Sequence, residues 1–170
     1  MQSEYSKKEQ AELYKNFDVL QEKLLPIWEQ IGRSDPGGDF IEEENTMVVL
    51  PSLTVDMEFD FAAQQAYEER MLFMLFLLRQ PHVRIIYLTS APIQQDIIDY
   101  YLDILPSVTI TNARKRLIQI SPNDLSDRPL VTKLLERPKL IEQIRDAVPN
   151  LDMAHLVPFL TTDLERDFAV

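Results

Sequence analysis

An α/β fold built on a parallel sheet is the architecture this sequence predicts, and three observations predict it. Two near-continuous apolar runs, 83–88 and 117–120, each end in turn chemistry: Thr89-Ser90-Ala91-Pro92 after the first and Ser121-Pro122-Asn123-Asp124 after the second. Between them lies a stretch whose apolar residues recur at helical spacing. Strand, turn, helix, strand is the order of a parallel crossover unit, and strands lacking polar alternation suit a sheet covered on both faces. The 170 residues, 45% apolar and 26% charged, suffice for one such domain plus an extension.

Taken in order, Ser6-Lys7-Lys8-Glu9 has the form of a capping box. Leu13, Phe17, Leu20, Leu24, Trp28 and Ile31 then make one apolar stripe on a long first helix. Pro26 is expected to bend that helix and Gly32 to stop it. Such a stripe packs either within the chain or against a second copy. Asp35-Pro36-Gly37-Gly38 reads as a linker, dividing the chain into an N-terminal helix and linker at 1–45 and an α/β domain at 46–170.

Residues 47–50 form a short strand stopped by Pro51-Ser52. A helix is expected over 60–80, with its apolar second half, 71–78, buried on most sides. That run is far short of the roughly 20 residues a membrane helix needs. Residues 83–88 are the central strand. The helix at 92–105 carries Ile93, Ile97, Ile98, Tyr101, Leu102 and Leu105 on one stripe, with Pro92 in its first turn and Pro106 at its end. Residues 108–110 read as a strand or a connection, and 117–120 as the next strand. Two proline-led helices follow at 129–137 and 138–148, then a last strand at 154–158. Thr162-Asp163-Leu164-Glu165 is a second capping box. The helix it starts reaches Val170 with no capping glycine, so the sequence reads as the N-terminal part of something longer.

Composition excludes several kinds of chemistry. With no cysteine there is no disulfide, thiolate nucleophile or cysteine metal site, and His82 and His155 lack zinc spacing. Three glycines, at 32, 37 and 38, leave no nucleotide-binding glycine loop and no nucleophile elbow. A net charge of −11 argues against nucleic acid and anionic membranes as partners. Met1 to Gln10 has no apolar signal core, so a cytoplasmic protein is expected. Glu42-Glu43-Glu44 and the alternating Asp56, Glu58 and Asp60 read as solvated carboxylates rather than a cation site. No catalytic and no metal-binding residue is assigned.

The charge is unevenly spread. Residues 111–148 hold eight basic side chains against five acidic ones, a local net of +3. In parallel sheets ligands gather at the carboxyl ends of strands, beside helix N-termini. Thr89 and Ser90 occupy such an end, and Arg114 and Arg116 can supply charge-assisted bonds to a carboxylate or phosphate. The alternative makes Ser90 a helix cap and the arginines a solvated or interdomain salt-bridge surface.

A set of short blocks keeps its order along the chain. It runs Tyr67-Glu68-Glu69-Arg70, Leu78-Arg79-Gln80-Pro81, Tyr87-Leu88-Thr89-Ser90-Ala91-Pro92 and Asp99-Tyr100-Tyr101-Leu102. It continues with Ala113-Arg114-Lys115-Arg116-Leu117, Arg128-Pro129-Leu130, Leu135-Glu136-Arg137-Pro138 and Thr162-Asp163-Leu164-Glu165-Arg166. From about residue 47 to 170 this series resembles the N-terminal region of ATP-grasp carboxylate–amine ligases of the pheganomycin peptide-ligase type. The resemblance implies a pre-ATP-grasp domain, a small Rossmann-like unit of mostly parallel sheet flanked by helices. Such ligases turn a carboxylate into an acyl phosphate with ATP, and an amine then attacks it to form an amide. It further implies a following ATP-grasp core that holds ATP and magnesium, with no cofactor on the present residues. Thr89, Ser90, Arg114, Arg116 and Arg128 are then the candidate substrate-binding residues on one wall of the cleft. A homodimer, or a stand-alone interaction module using the first helix and residues 71–78, is the competing expectation.

Overall fold

The computed structural model describes residues 19–26, 45–54, 60–106 and 108–169. The chain divides into two compact units, Met1–Phe40 and Ile41–Val170. In the first, residues 19–26 are helical, with Leu20 and Leu24 exposed. The expected capping box at Ser6, the remainder of the stripe, Gly32, and the carboxylates at 42–44, 56 and 58 lie outside the described residues.

The second unit is a four-stranded parallel sheet: β1 (Asn45–Leu50), β2 (Val83–Leu88), β3 (Leu117–Ile120) and β4 (Ala154–Pro158), in the order β3-β2-β1-β4. Helices α1 (Phe61–Arg70), α2 (Gln95–Asp103), α3 (Ile110–Lys115), α4 (Leu130–Leu135), α5 (Pro138–Asp146) and α6 (Asp163–Phe168) connect and flank the strands. This is the α/β architecture with a parallel sheet that the sequence predicts. The register aligns Met47 with Ile85 and with His155, and Ile86 with Ile118.

Each face of the sheet has its own cover. On one side Val48, Leu50, Ile86, Leu88 and Ile120 pack with Leu130, Val131 and Leu134 of α4 and Ile144 of α5, with Leu164 and Phe168 of α6 at the margin. The other face carries Met47, Val49, Ile85 and Tyr87, all buried. A 3₁₀ segment, Met71–Arg79, covers that side, packing on β2 and on α2. Two covered faces explain why the central strand β2 reads as a near-continuous apolar run.

Several boundaries differ from expectation for identifiable reasons. The single helix expected over 60–80 is α-helical only to Arg70 and then tightens to 3₁₀. An all-apolar run imposes no 3.6-residue period. A three-residue period therefore places Leu72, Leu75 and Leu78 inward and Phe73, Phe76 and Arg79 outward. Most sides of the segment are buried or half-buried, as expected, and one row stays open, with Phe73 56% and Phe76 41% exposed. Residues 108–110 lead into α3, which Thr109 caps through the Asn112 N–H. Pro92 lies in the turn before α2, which starts at Gln95. Asp60 caps α1 by accepting from the Ala63 N–H at 2.8 Å, so it is committed to the backbone. No helix among the described residues is long and apolar enough to cross a membrane.

Sheet order sets the topological switch point. From β1 the chain moves to β2 and β3 on one side, then returns to place β4 on the other. The crevice outside the carboxyl ends of β1 and β4 is where such sheets gather ligands. Phe159 donates its N–H to Leu50 O at 3.0 Å, which directs Pro158 to the outer side of β4. A missing N–H costs no ladder bond there.

Candidate functional site

The carboxyl end of β2 holds a buried charged network that joins four elements. Ser90 donates from its N–H to Glu68 Oε2 at 2.7 Å and from its hydroxyl to Glu68 Oε1 at 2.6 Å. Lys133 on α4 donates to Ser90 Oγ at 3.0 Å and to Ser126 O at 2.7 Å. The Tyr87 hydroxyl donates to Glu68 O at 2.6 Å. Glu68, Ser90 and Lys133 are at most 2% exposed. Burial pushes the Glu68 carboxyl up, against the lowering effect of the Ser90 bonds and the Lys133 charge. Burial likewise pushes the Lys133 ammonium down, opposed by Glu68.

Ser90 has nothing left to offer a ligand. Its hydroxyl donates once and accepts once, and its carbonyl accepts from Asp124 N at 2.9 Å and Ser121 Oγ at 3.0 Å. A serine beside a lysine has the look of an activated nucleophile, but this hydroxyl is sealed from solvent and its proton is directed at Glu68. The geometry makes Ser90 a pin between α1, β2, the 121–129 connection and α4.

Thr89 is the opposite case. Its N–H donates to Ile120 O at 3.2 Å, and its hydroxyl, on a residue 2% exposed, has no hydrogen-bond partner among the described residues. A buried polar group left unpaired is costly, and the cost disappears when a ligand or another segment supplies a bond.

Arg128 lies in the 121–129 connection, at the same edge. It donates from one nitrogen to both oxygens of Glu136 at 2.7 Å and from another to Asp124 at 3.2 Å. Arg137 donates to Asp124 Oδ2 at 2.6 Å and to Lys133 O at 2.6 Å. Bonds from the Ser126 side chain and backbone, then from Arg137, hold the Asp124 carboxyl well below the usual carboxylate range. A lowered folded pKa stabilises the fold above the unfolded value, about pH 4. That contribution is lost as the pH falls through the folded pKa. Asp124→Asn should therefore be less stable than the parent at neutral pH, and the gap should close in acid. Paired urea titrations at several pH values would show it, and a gap independent of pH would exclude Asp124 as the titrating group.

Arg114 and Arg116 are not brought to this edge. Both precede β3 and so sit at the amino end of the sheet. Arg114 forms an ion pair with Asp99 of α2, and both side chains are over 40% exposed. Arg116 donates to three backbone carbonyls, Leu78 and Val83 at 2.6 Å and Gln80 at 2.7 Å. An open hollow over α3, lined by Ile110, Thr111, Arg114 and Lys115, lies at this far end.

The switch point itself was not legible in the sequence. Ser52 Oγ accepts from Val131 N at 3.1 Å, and Thr54 donates to Glu165 Oε1 at 2.6 Å. Thr162 N donates to Glu165 Oε2 at 2.8 Å, completing the expected capping box. Burial raises the Glu165 carboxyl, but the Thr162 and Thr54 bonds outweigh it and leave its pKa lowered. Tyr67 meets Phe159 at 6.1 Å between ring centroids, and Arg70 lies 5.3 Å over the Tyr67 ring. One N–H at the start of α4 is thus taken by Ser52, and α6 opens on a carboxylate. Neither start is free for a phosphate. Among the described residues no group of acidic or histidine side chains can hold a metal ion.

No protein-family model matches the chain, and no solved structure matches it significantly. It is similar to the L-propargylglycine–L-glutamate ligase of Streptantibioticus cattleyicolor, with 32% identity over 94 residues. The match covers 54% of this chain and 20% of that protein, so the chain spans about a fifth of the length of the relative. A Rossmann-like parallel sheet and a distant, partial relationship to a ligase are consistent with ATP-grasp ligase architecture.

Proposed function

We propose that this chain is the N-terminal, pre-ATP-grasp domain of an ATP-dependent ligase that joins a carboxylate to an amine. Its carboxyl edge forms one wall of the substrate cleft. The observation that carries this reading is the partial relationship to a ligase acting on two amino acids. Parallel-sheet topology supports it, because the switch-point edge is where a substrate would lie. ATP and magnesium belong to a following core, which is also the partner this reading requires.

Of the five sequence candidates, Thr89 is the one with an unspent hydroxyl, so substrate contact is assigned to it, with Arg128 in the connection that leaves β3 at the same edge. Ser90 scaffolds that edge, and Arg114 and Arg116 brace the other end. Two experiments test the proposal. The coding sequence should continue past Val170 into an ATP-binding core, and a stop codon at that point would sink the ligase reading. In the full-length protein, Thr89→Val keeps the shape and removes the orphan hydroxyl. It should leave stability unchanged or raised while lowering kcat/KM for amide formation about tenfold, the loss of one hydrogen bond of roughly 1.4 kcal/mol. Unchanged kcat/KM would remove Thr89 from the site and leave the ligase reading standing.

A further inference from the structure

We infer that the layer formed by the 3₁₀ segment and α2 is the contact surface between two copies of this chain. This goes beyond the ligase reading and does not depend on it. Exposed large apolar side chains of the Ile41–Val170 unit concentrate here: Phe73 and Phe76 on the segment, and Tyr100 and Ile104 on the helix packed beside it. Single exposed apolar residues need no explanation, but four on two adjoining elements form a patch.

Charge tells which partner the patch fits. Arg70, Phe73, Phe76 and Arg79 follow one another at three-residue intervals, and all four are exposed. At about 2 Å rise per residue in a 3₁₀ helix, the two guanidinium groups bracket the phenylalanines over roughly 18 Å. Alongside, α2 presents Asp96, Tyr100, Asp103 and Ile104 to solvent. Arg79, Asp96 and Asp103 have no ion-pair partner among the described residues, and Arg70 only stacks on Tyr67. The neighbouring Asp99 is by contrast occupied by Arg114 and Gln95.

One patch therefore holds a basic aromatic line beside an acidic aromatic strip. A two-fold rotation lays the basic line of each copy on the acidic strip of the other, which is the self-complementarity a two-fold interface requires. Laying line on line would oppose arginine to arginine. Elsewhere the −11 net charge of each copy repels the other, so the charge pattern favours this face over the remaining surface.

Sedimentation analysis of the full chain tests the proposal. The parent should be a dimer at micromolar concentration, and Phe73→Glu with Phe76→Glu should abolish it while the circular dichroism spectrum is kept. Arg70→Glu with Arg79→Glu, and separately Asp96→Arg with Asp103→Arg, should each weaken association at least about tenfold. Mixing the two charge variants should restore the dimer, because each then supplies the sign the other lost. A parent that stays monomeric overturns the inference. So does a dimer that survives all the substitutions, or a mixture that fails to associate.

Discussion

Truncating Lys133 to alanine should cost the Ile41–Val170 unit about 3–5 kcal/mol, because it leaves the Glu68 carboxyl buried with no cation beside it. Few other single changes in this fold should cost as much. Lys133 ties Ser90 Oγ to Ser126 O, so its removal also releases the 121–129 connection from the β2 end. Lys133→Met combined with Glu68→Gln should recover most of the loss. The amide oxygen still accepts from Ser90 N–H, and no unpaired charge remains in the interior. Urea unfolding followed by circular dichroism measures both. A loss below about 1 kcal/mol for Lys133→Ala would show that solvent reaches the pair and that it behaves as a surface salt bridge.

The second large effect belongs to Arg116. Its guanidinium closes the turn between the 3₁₀ segment and β2 by bonding the carbonyls of Leu78, Gln80 and Val83. Arg116→Ala strips a charged donor from all three and should destabilise by about 3 kcal/mol. Arg116→Lys should restore less than half of that, since an ammonium cannot reproduce the planar fork. Arg114→Ala should stay within about 1 kcal/mol, as expected for an exposed pair. The same variants decide between bracing and substrate contact. Bracing predicts lowered stability with unchanged ligation kinetics at temperatures where the variant stays folded. Substrate contact predicts the reverse.

Why the sequence revealed some of this and not the rest follows from range. Strand 83–88 was legible because burial on two faces leaves a near-continuous apolar run, and the half-buried edge strands 117–120 and 154–158 because short apolar stretches stand between turn residues, both local signals. The capping box at Thr162 was legible for the same reason, since its partners are three residues apart. Arg116 was not legible, because the carbonyls it serves lie 33 to 38 residues away. Glu68 and Lys133 lie 65 residues apart in the sequence, and only the fold places both against Ser90. A faint signal did exist in Lys133, which stands between Leu130-Val131 and Leu134-Leu135 on a short helix. Thr89 and Ser90 were both visible as a strand end. The accounting of their hydroxyls, one spent and one free, needed coordinates. Strand order, and with it the Ser52–Thr54–Glu165 linkage at the switch point, left no trace in periodicity.

Pro158 bears on how this protein behaves in a crowded solution. A bare strand edge is a template for any extended segment that drifts past, and long flat edges are the usual seeds of aggregation. On the outer side of β4 only Leu156 presents a free N–H, because Ala154 donates its own to Leu151 O and Pro158 has none to give. An incoming strand finds one donor and then a pyrrolidine ring, too short a template to hold it. One residue thus guards the sheet against misassembly without disturbing the ladder that β4 shares with β1.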